Sequence, residues 1–191
     1  DLHSAQPYHL DVFSVSIRDG RNNQLHRRLF VVECDQVGTM SVRQPTIFLD
    51  LALAENALPP ANITLPPLGQ REQYLYENAL VKFLDENSAQ RQKETAIIHN
   101  HVTISLDELI HRQNMTLANL CQQKAQSGEA ATWLTASIAQ AEERIDELTN
   151  RKERRLAELD QECQCLIGDI TCIGCAWVLP HPERQSPAIA P

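Results

Sequence analysis

The stretch Ile98-His-Asn-His-Val-Thr-Ile-Ser-Leu-Asp-Glu-Leu-Ile-His-Arg-Gln-Asn-Met-Thr-Leu-Ala-Asn-Leu120 decides the fold. Ile98, Val102, Leu106, Leu109, Leu117 and Leu120 recur at steps of three and four, with Gln113 filling the polar step. That spacing writes one apolar stripe along an α-helix. Residues 70–126 contain neither Pro nor Gly, so a helix of roughly 57 residues, about 85 Å of rise, is sterically open there. Ser127-Gly128 then offers a helix stop. A second stripe follows in residues 130–165: Ile138, Ala141, Ile145, Leu148, Lys152, Leu156, Leu159 and Cys163. Two stripes joined by a short loop specify an antiparallel helical hairpin. The loop sets its register: Leu120 beside Ser137 and Ile138, Leu109 beside Leu148, Ile98 beside Leu159. At the start of the first helix, Tyr74, Leu75, Leu80, Val81, Phe83 and Leu84 form a dense apolar patch that needs a sheet to cover it. Residues 85–95 are almost wholly polar, the weak joint of this helix, with room for a kink.

Outside the hairpin the periodicity changes to two. Leu10, Val12, Val15 and Ile17, with Phe13 between, read as a strand. Arg18-Asp-Gly-Arg-Asn-Asn23 is turn chemistry, because Asp-Gly and Asn tolerate positive φ. Leu29-Phe-Val-Val32 reads as the returning strand, and residues 42–53 as a further strand with a turn of helix. Residues 58–67 hold two Pro-Pro pairs, Pro59-Pro60 and Pro66-Pro67, which neither a helix interior nor a central strand accepts. After the hairpin, Gly168-Asp169 reads as a turn, and Cys172-Ile-Gly-Cys-Ala-Trp-Val-Leu179 as a strand ending at Pro180. The fold expected is therefore α+β: a small, mostly antiparallel sheet with a long antiparallel helical hairpin inserted between its strands. Its parts are N-terminal strands in residues 1–57, a Pro-rich connector in 58–68, the helical hairpin in 69–166, a returning strand in 167–184 and a tail in 185–191. Together they are expected to form one integrated domain.

The chain has 191 residues, 42% hydrophobic but only 5% aromatic, so its core must be mostly aliphatic. A net charge of −8 argues against a general nucleic-acid binder, whose phosphate affinity comes from clustered Lys and Arg. A local basic strip remains compatible with it. No apolar run approaches the ~20 residues that span a bilayer. The six cysteines do not form the framework of a small secreted scaffold, so a reducing cytoplasm is expected.

Three groups of residues invite a chemical reading. Cys163, Cys165, Cys172 and Cys175 supply four thiols, enough for tetrahedral zinc. Against this, their two pairs lie closer than zinc knuckles usually do, and Cys163 falls on the helical stripe. Cys172 and Cys175 would also point to opposite faces of a strand. His99, His101 and His111 sit on the first helix, where residues two apart do not face each other; surface histidines explain them. Arg151-Lys-Glu-Arg-Arg155, with Arg144 and with Arg112 across the hairpin, can form a positive strip that contacts nucleic-acid phosphates. The alternative is a solvated helix face balanced by Glu142, Glu143, Glu147 and Glu158. No phosphate-cradling Gly-rich loop, nucleophile elbow or His-Glu-x-x-His motif is present, and six glycines leave little room for one. The fragment is thus expected to be no enzyme by itself.

Residues 104–113, 140–148 and 154–159, together with Gly174-Cys-Ala-Trp-Val-Leu-Pro-His-Pro-Glu-Arg184, resemble a known region. It is the region C-terminal to the motor in large bacterial superfamily-2 helicases, the Snf-like and RapA-like ATPases. Some of these are linked to phage-defence islands such as DISARM. The resemblance runs from about Phe13 to Arg184. It implies a parent that hydrolyses ATP with Mg and moves along or remodels nucleic acid. It further implies that this chain is a non-catalytic accessory domain contacting the motor of the same polypeptide, DNA or a partner protein. The family's Gly-Lys-Thr loop, Asp-Glu metal motif and arginine fingers have no counterparts here, so no catalytic residue carries over. Two other functions fit the residues: a coiled-coil oligomerisation module, and a zinc-stabilised binding module.

Overall fold

A computed structural model describes residues 6–54, 58, 60, 63–127 and 132–180. The fold is α+β: a four-stranded antiparallel sheet, one long helix and a second helix. The strands are β1 (Tyr8–Asp19), β2 (Gln24–Cys34), β3 (Met40–Arg43) and β4 (Cys165–Val178), in the sheet order β3-β2-β1-β4. A 3₁₀ segment (Pro45–Asp50) follows β3. The helices are α1 (Leu68–Leu75), which runs through a π-turn (Tyr76–Leu80) into α2 (Val81–Ser127), and α3 (Thr132–Cys163). The helices therefore interrupt the sheet in sequence, since β4 pairs with β1 after them. The chain divides into two compact units. One comprises residues 1–18, 23–86 and 166–191, the other residues 19–22 and 87–165.

The sheet unit is built on the β1–β2 hairpin. Its register sets Phe13 opposite Phe30, Asp11 opposite Val32 and His9 opposite Cys34, so these six share one face. Phe13, Val15, Ile17, Val32 and Cys34 are fully buried on it. Leu75, Leu80 and Phe83 supply the helical side of this core, and Phe83 meets Phe30 edge to face with ring centroids 5.4 Å apart. The Arg28 guanidinium lies 5.5 Å from the Phe30 centroid and caps the pair. On the other face Leu10, Val31 and Ser16 are buried as well. β1, central in the sheet, is thus covered on both sides.

Two expectations about local structure are corrected. Gly168-Asp169 is not a turn but lies inside β4. A Cβ at Gly168 would meet Ser16 Oγ at 2.6 Å and Arg18 Nε at 2.9 Å. The glycine is there for close approach of β1, where the register slips between Ile17 and Arg18. Asp169 is held by the same strand: its amide donates to Ser16 Oγ at 3.0 Å, and its carboxylate accepts from Arg18 Nη2 at 2.5 Å. The helix irregularity also falls elsewhere. Residues 85–95 are regular α-helix, and the π-turn lies within the apolar patch at Tyr76–Leu80. A single extra residue per turn there re-aims the helix surface, and Leu75 and Leu80, on either side of the turn, are both fully buried.

In the helical unit, α2 and α3 run antiparallel. Lys152 Nζ reaches Asp107 Oδ1 at 2.5 Å. Toward the other end, Gln113, Thr116 and Leu120 line a groove with Ser137, Gln140 and Arg144. Leu120 beside Ser137 is the register that the sequence stripes specify. The buried seam consists of Leu106, Leu134, Ala141, Leu148 and Leu159, joined by Thr95. The Thr95 hydroxyl donates to the Arg91 carbonyl at 2.7 Å, which satisfies it inside the seam. The connecting loop, the tail in residues 185–191 and the His181–Arg184 part of the helicase resemblance lie outside the described residues. Among the described residues no helix is long and apolar enough to cross a membrane.

Candidate functional site

α3 carries all five basic residues singled out from the sequence. The seam repeat of α3 continues through Leu148 at steps of four and three to Lys152, Arg155, Leu159 and Glu162, so its last turns set charges on either side of the buried Leu159. The consequence is that these cations are not equivalent. Lys152 is tied to Asp107 on α2. Arg155 Nη1 donates to Glu158 Oε2 at 3.0 Å and Glu162 Oε1 at 2.9 Å, which raise its pKa further. Arg144 Nη1 donates to Glu147 Oε2 at 2.6 Å. Arg112, the residue expected to join from across the hairpin, is paired along its own helix with Glu108 at 2.9 Å. Arg151 and Arg154 differ: both are exposed, and neither makes an ion pair among the described residues. They line a groove of about 950 Å³ between α2 and α3, together with His101, Leu109, Arg144 and Leu148. The predicted strip of five therefore resolves into two uncommitted guanidiniums at i and i+3, which share one helix face.

Below the groove lies a carboxylate node that sequence reasoning missed. Glu162, 17% exposed, accepts from Arg155 Nη1 and from Arg21 Nη1, the latter at 3.1 Å. Arg91 Nη2 stands 3.8 Å from its other oxygen, and Arg91 Nε donates to the Glu162 carbonyl at 2.9 Å. Hydrogen bonds from Arg155, aided by Arg21, hold the Glu162 carboxyl below the usual carboxylate range. Gly20 completes the contact: its amide donates to the Gln161 carbonyl at 3.0 Å. A Cβ at Gly20 would stand 2.7 Å from that oxygen, so the approach needs glycine. The signal in the sequence was the polar run of residues 85–95. Its Arg91 faces this node, and its Thr95 is buried in the seam with its hydroxyl on the Arg91 carbonyl.

The sheet unit holds a second buried polar group. The Arg71 guanidinium of α1 pairs with the Asp11 carboxylate, which is almost wholly buried. His9 Nδ1 lies 3.3 Å from the same oxygen, and the His9 ring meets Trp177 of β4 edge to face at 4.8 Å. Burial pushes the His9 pKa below the usual imidazole value and Arg71 adds to this, while Asp11 pulls the other way. The pair is closed by the fold and functions as a polar brace of the core.

The four cysteines proposed for zinc are divided. Cys163 and Cys165 belong to the helical unit, Cys172 and Cys175 to the sheet unit. Among the described residues no group of three or more His, Cys, Asp or Glu is gathered to hold a metal ion. Burial raises the pKa of the Cys165 and Cys172 thiols. His99, His101 and His111 are all exposed on α2. Of the stripes read from the sequence, Leu106, Ala141, Leu148 and Leu159 are buried, while Ile98 and Leu109 on α2 are 40% and 43% exposed. Compared with protein-family models, with curated proteins and with solved structures, the chain matches none.

Proposed function

We propose that this chain is a non-catalytic accessory module of an ATP-driven helicase or translocase, and that the groove at Arg151 and Arg154 contacts the nucleic-acid backbone. One observation carries the contact: two exposed guanidiniums without carboxylate partners among the described residues, on a groove whose other cations, Arg144 and Arg155, are neutralised locally. Arginine pairs on a rigid helix suit phosphate oxygens, which they bind in a forked geometry. The surrounding carboxylates and the net charge of −8 keep the contact weak alone. That suits a module that guides a strand already held by a motor. The assignment to a motor rests on the helicase resemblance of residues 104–184.

Salt titration of DNA binding by the full chain tests the contact. Each phosphate contact contributes about 0.9 to the slope of log K against log salt. Arg151→Glu/Arg154→Glu should flatten that slope by about 1.8, while Lys152→Gln, already engaged by Asp107, should leave it nearly unchanged. An unchanged slope in the double variant removes the nucleic-acid contact from the reading. The motor is tested separately by the reading frame that encodes the chain: absence of a Gly-Lys-Thr loop in the same polypeptide removes it.

A further inference from the structure

The two edges of the sheet are built differently. On one side β3 is only four residues long, ends at Arg43 and is followed by Pro45. The part of β2 that β3 does not cover bears exposed His26, Arg27 and Arg28. Short length, charge and proline are the devices that stop an edge from pairing with another chain. The opposite edge, β4, has none of them. It is fourteen residues long, Cys-Leu-Ile-Gly-Asp-Ile-Thr-Cys-Ile-Gly-Cys-Ala-Trp-Val, against a usual five or six. Its one charge, Asp169, is neutralised by Arg18. Leu166 and Ile173 are 56% and 57% exposed, and Thr171, Gly174 and Cys175 are exposed too. Among the described residues, no backbone group of a loop, turn or cap bonds to β4.

We propose that β4 is a homodimerisation edge, pairing antiparallel with β4 of a second copy to make one continuous eight-stranded sheet. A second copy fits this edge by length and by charge. A twofold axis at Cys172, next to the strand's midpoint, sets Cys172 opposite itself and matches residues 166–178 with their own counterparts. It sets Asp169 opposite Cys175 of the second copy, six positions from the other Asp169. At about 3.3 Å per residue the two carboxylates are then roughly 20 Å apart, beyond the screening length of physiological salt. Self-pairing therefore meets no like-charge contact. The exposed Ile173 side chains flank the axis, each opposite Thr171 of the second copy and diagonal to its Ile173.

Sedimentation equilibrium of the full chain over a hundredfold concentration range tests the proposal. Wild type is expected to show a monomer–dimer equilibrium. Thr171→Lys/Ile173→Lys sets like charges against each other at the axis and is expected to weaken the dimer roughly tenfold or more, with an unchanged circular-dichroism spectrum. A short bismaleimide is expected to crosslink the dimer through Cys172 or Cys175, so the crosslink disappears in Cys172→Ser/Cys175→Ser and persists in Cys121→Ser. A wild type that stays monomeric throughout overturns the proposal. So does a dimer indifferent to the two lysines, or one crosslinked through Cys121 on α2.

Discussion

Removing the charge of Glu162 should destabilise the helical unit by about 2 kcal/mol. The perturbation is Glu162→Gln, which keeps the shape and deletes the charge. Wild-type Glu162 receives hydrogen bonds from Arg155 at 2.9 Å and Arg21 at 3.1 Å, with Arg91 at 3.8 Å. A charged hydrogen bond in a desolvated place contributes about 1.5–3 kcal/mol, and an exposed ion pair about 0.2–1 kcal/mol. Glu162 is 17% exposed, but Arg155 and Arg21 are 36% and 42% exposed, so each bond sits toward the lower figure. Two bonds and one longer contact give about 2 kcal/mol, a factor of about 30 in the folding equilibrium.

The pH dependence follows from the same contacts. The Glu162 pKa is lowered in the folded chain. The folded state therefore holds fewer protons on this group than the unfolded state once pH falls below the unfolded value of about 4.3. Its contribution is full above that pH and is lost as pH drops through the still lower folded value. Urea denaturation of wild type and variant at pH 7, 5 and 3 reads this directly. The midpoints should differ equally at pH 7 and 5 and converge toward pH 3. Equal midpoints at pH 7, or a gap that persists at pH 3, refute the reasoning. A double-mutant cycle with Arg155→Met should recover about half the difference as coupling energy.

Other positions give independent checks. His9 is buried with a lowered pKa among Asp11, Arg71 and Trp177, with Cys34 opposite it on β2. The unfolded state then takes up its proton first as pH falls below about 6.5, and stability drops by up to about 1.4 kcal/mol per pH unit until the folded value is reached. His9→Gln should flatten the loss between pH 7 and 5 in denaturant titrations, and parallel profiles would exclude His9 as its source. In β4, Gly168→Ala drives a Cβ into Ser16 and Arg18 and should cost about 1–3 kcal/mol. Gly174→Ala meets nothing within 4 Å and should be neutral or slightly stabilising by thermal melt.

The hairpin was legible because its middle is written in aliphatic residues. Leu120, Leu148 and Leu159 recur at helical spacing, and that spacing alone fixes their faces. Gly168 was not legible, since a missing side chain looks the same in a turn and in a strand until its neighbour Ser16 is in place. His9 and Asp11 read as the solvent side of an alternating strand. Their parity is that of Phe13, Val15 and Ile17, and the displaced Phe13 was the trace of it. The basic run placed Arg151, Lys152, Arg154 and Arg155 on one stretch of helix. Which of them stay free depends on Asp107, 45 residues away from Lys152, and on Glu162, seven residues beyond Arg155.

The charged end of the seam also constrains how the helices can pair. Leucines at heptad spacing tolerate a slip of seven residues, because one leucine replaces another. The ionic positions do not. In the native register Lys152 meets Asp107 and Glu162 meets Arg91. A slip of seven in either direction would set Lys152 against Asn100 or Asn114, and Glu162 against Leu84 or Ile98. Glu162 would then sit beside an aliphatic side chain and lose Arg91, keeping only Arg155 of its own helix, and a partly buried carboxylate that loses a partner is destabilised. The same slip would move Gln161 away from Gly20, whose amide needs that carbonyl. The polar turns that weaken the hydrophobic seam thus select one register of it, and with it the placement of Arg151 and Arg154 on the groove.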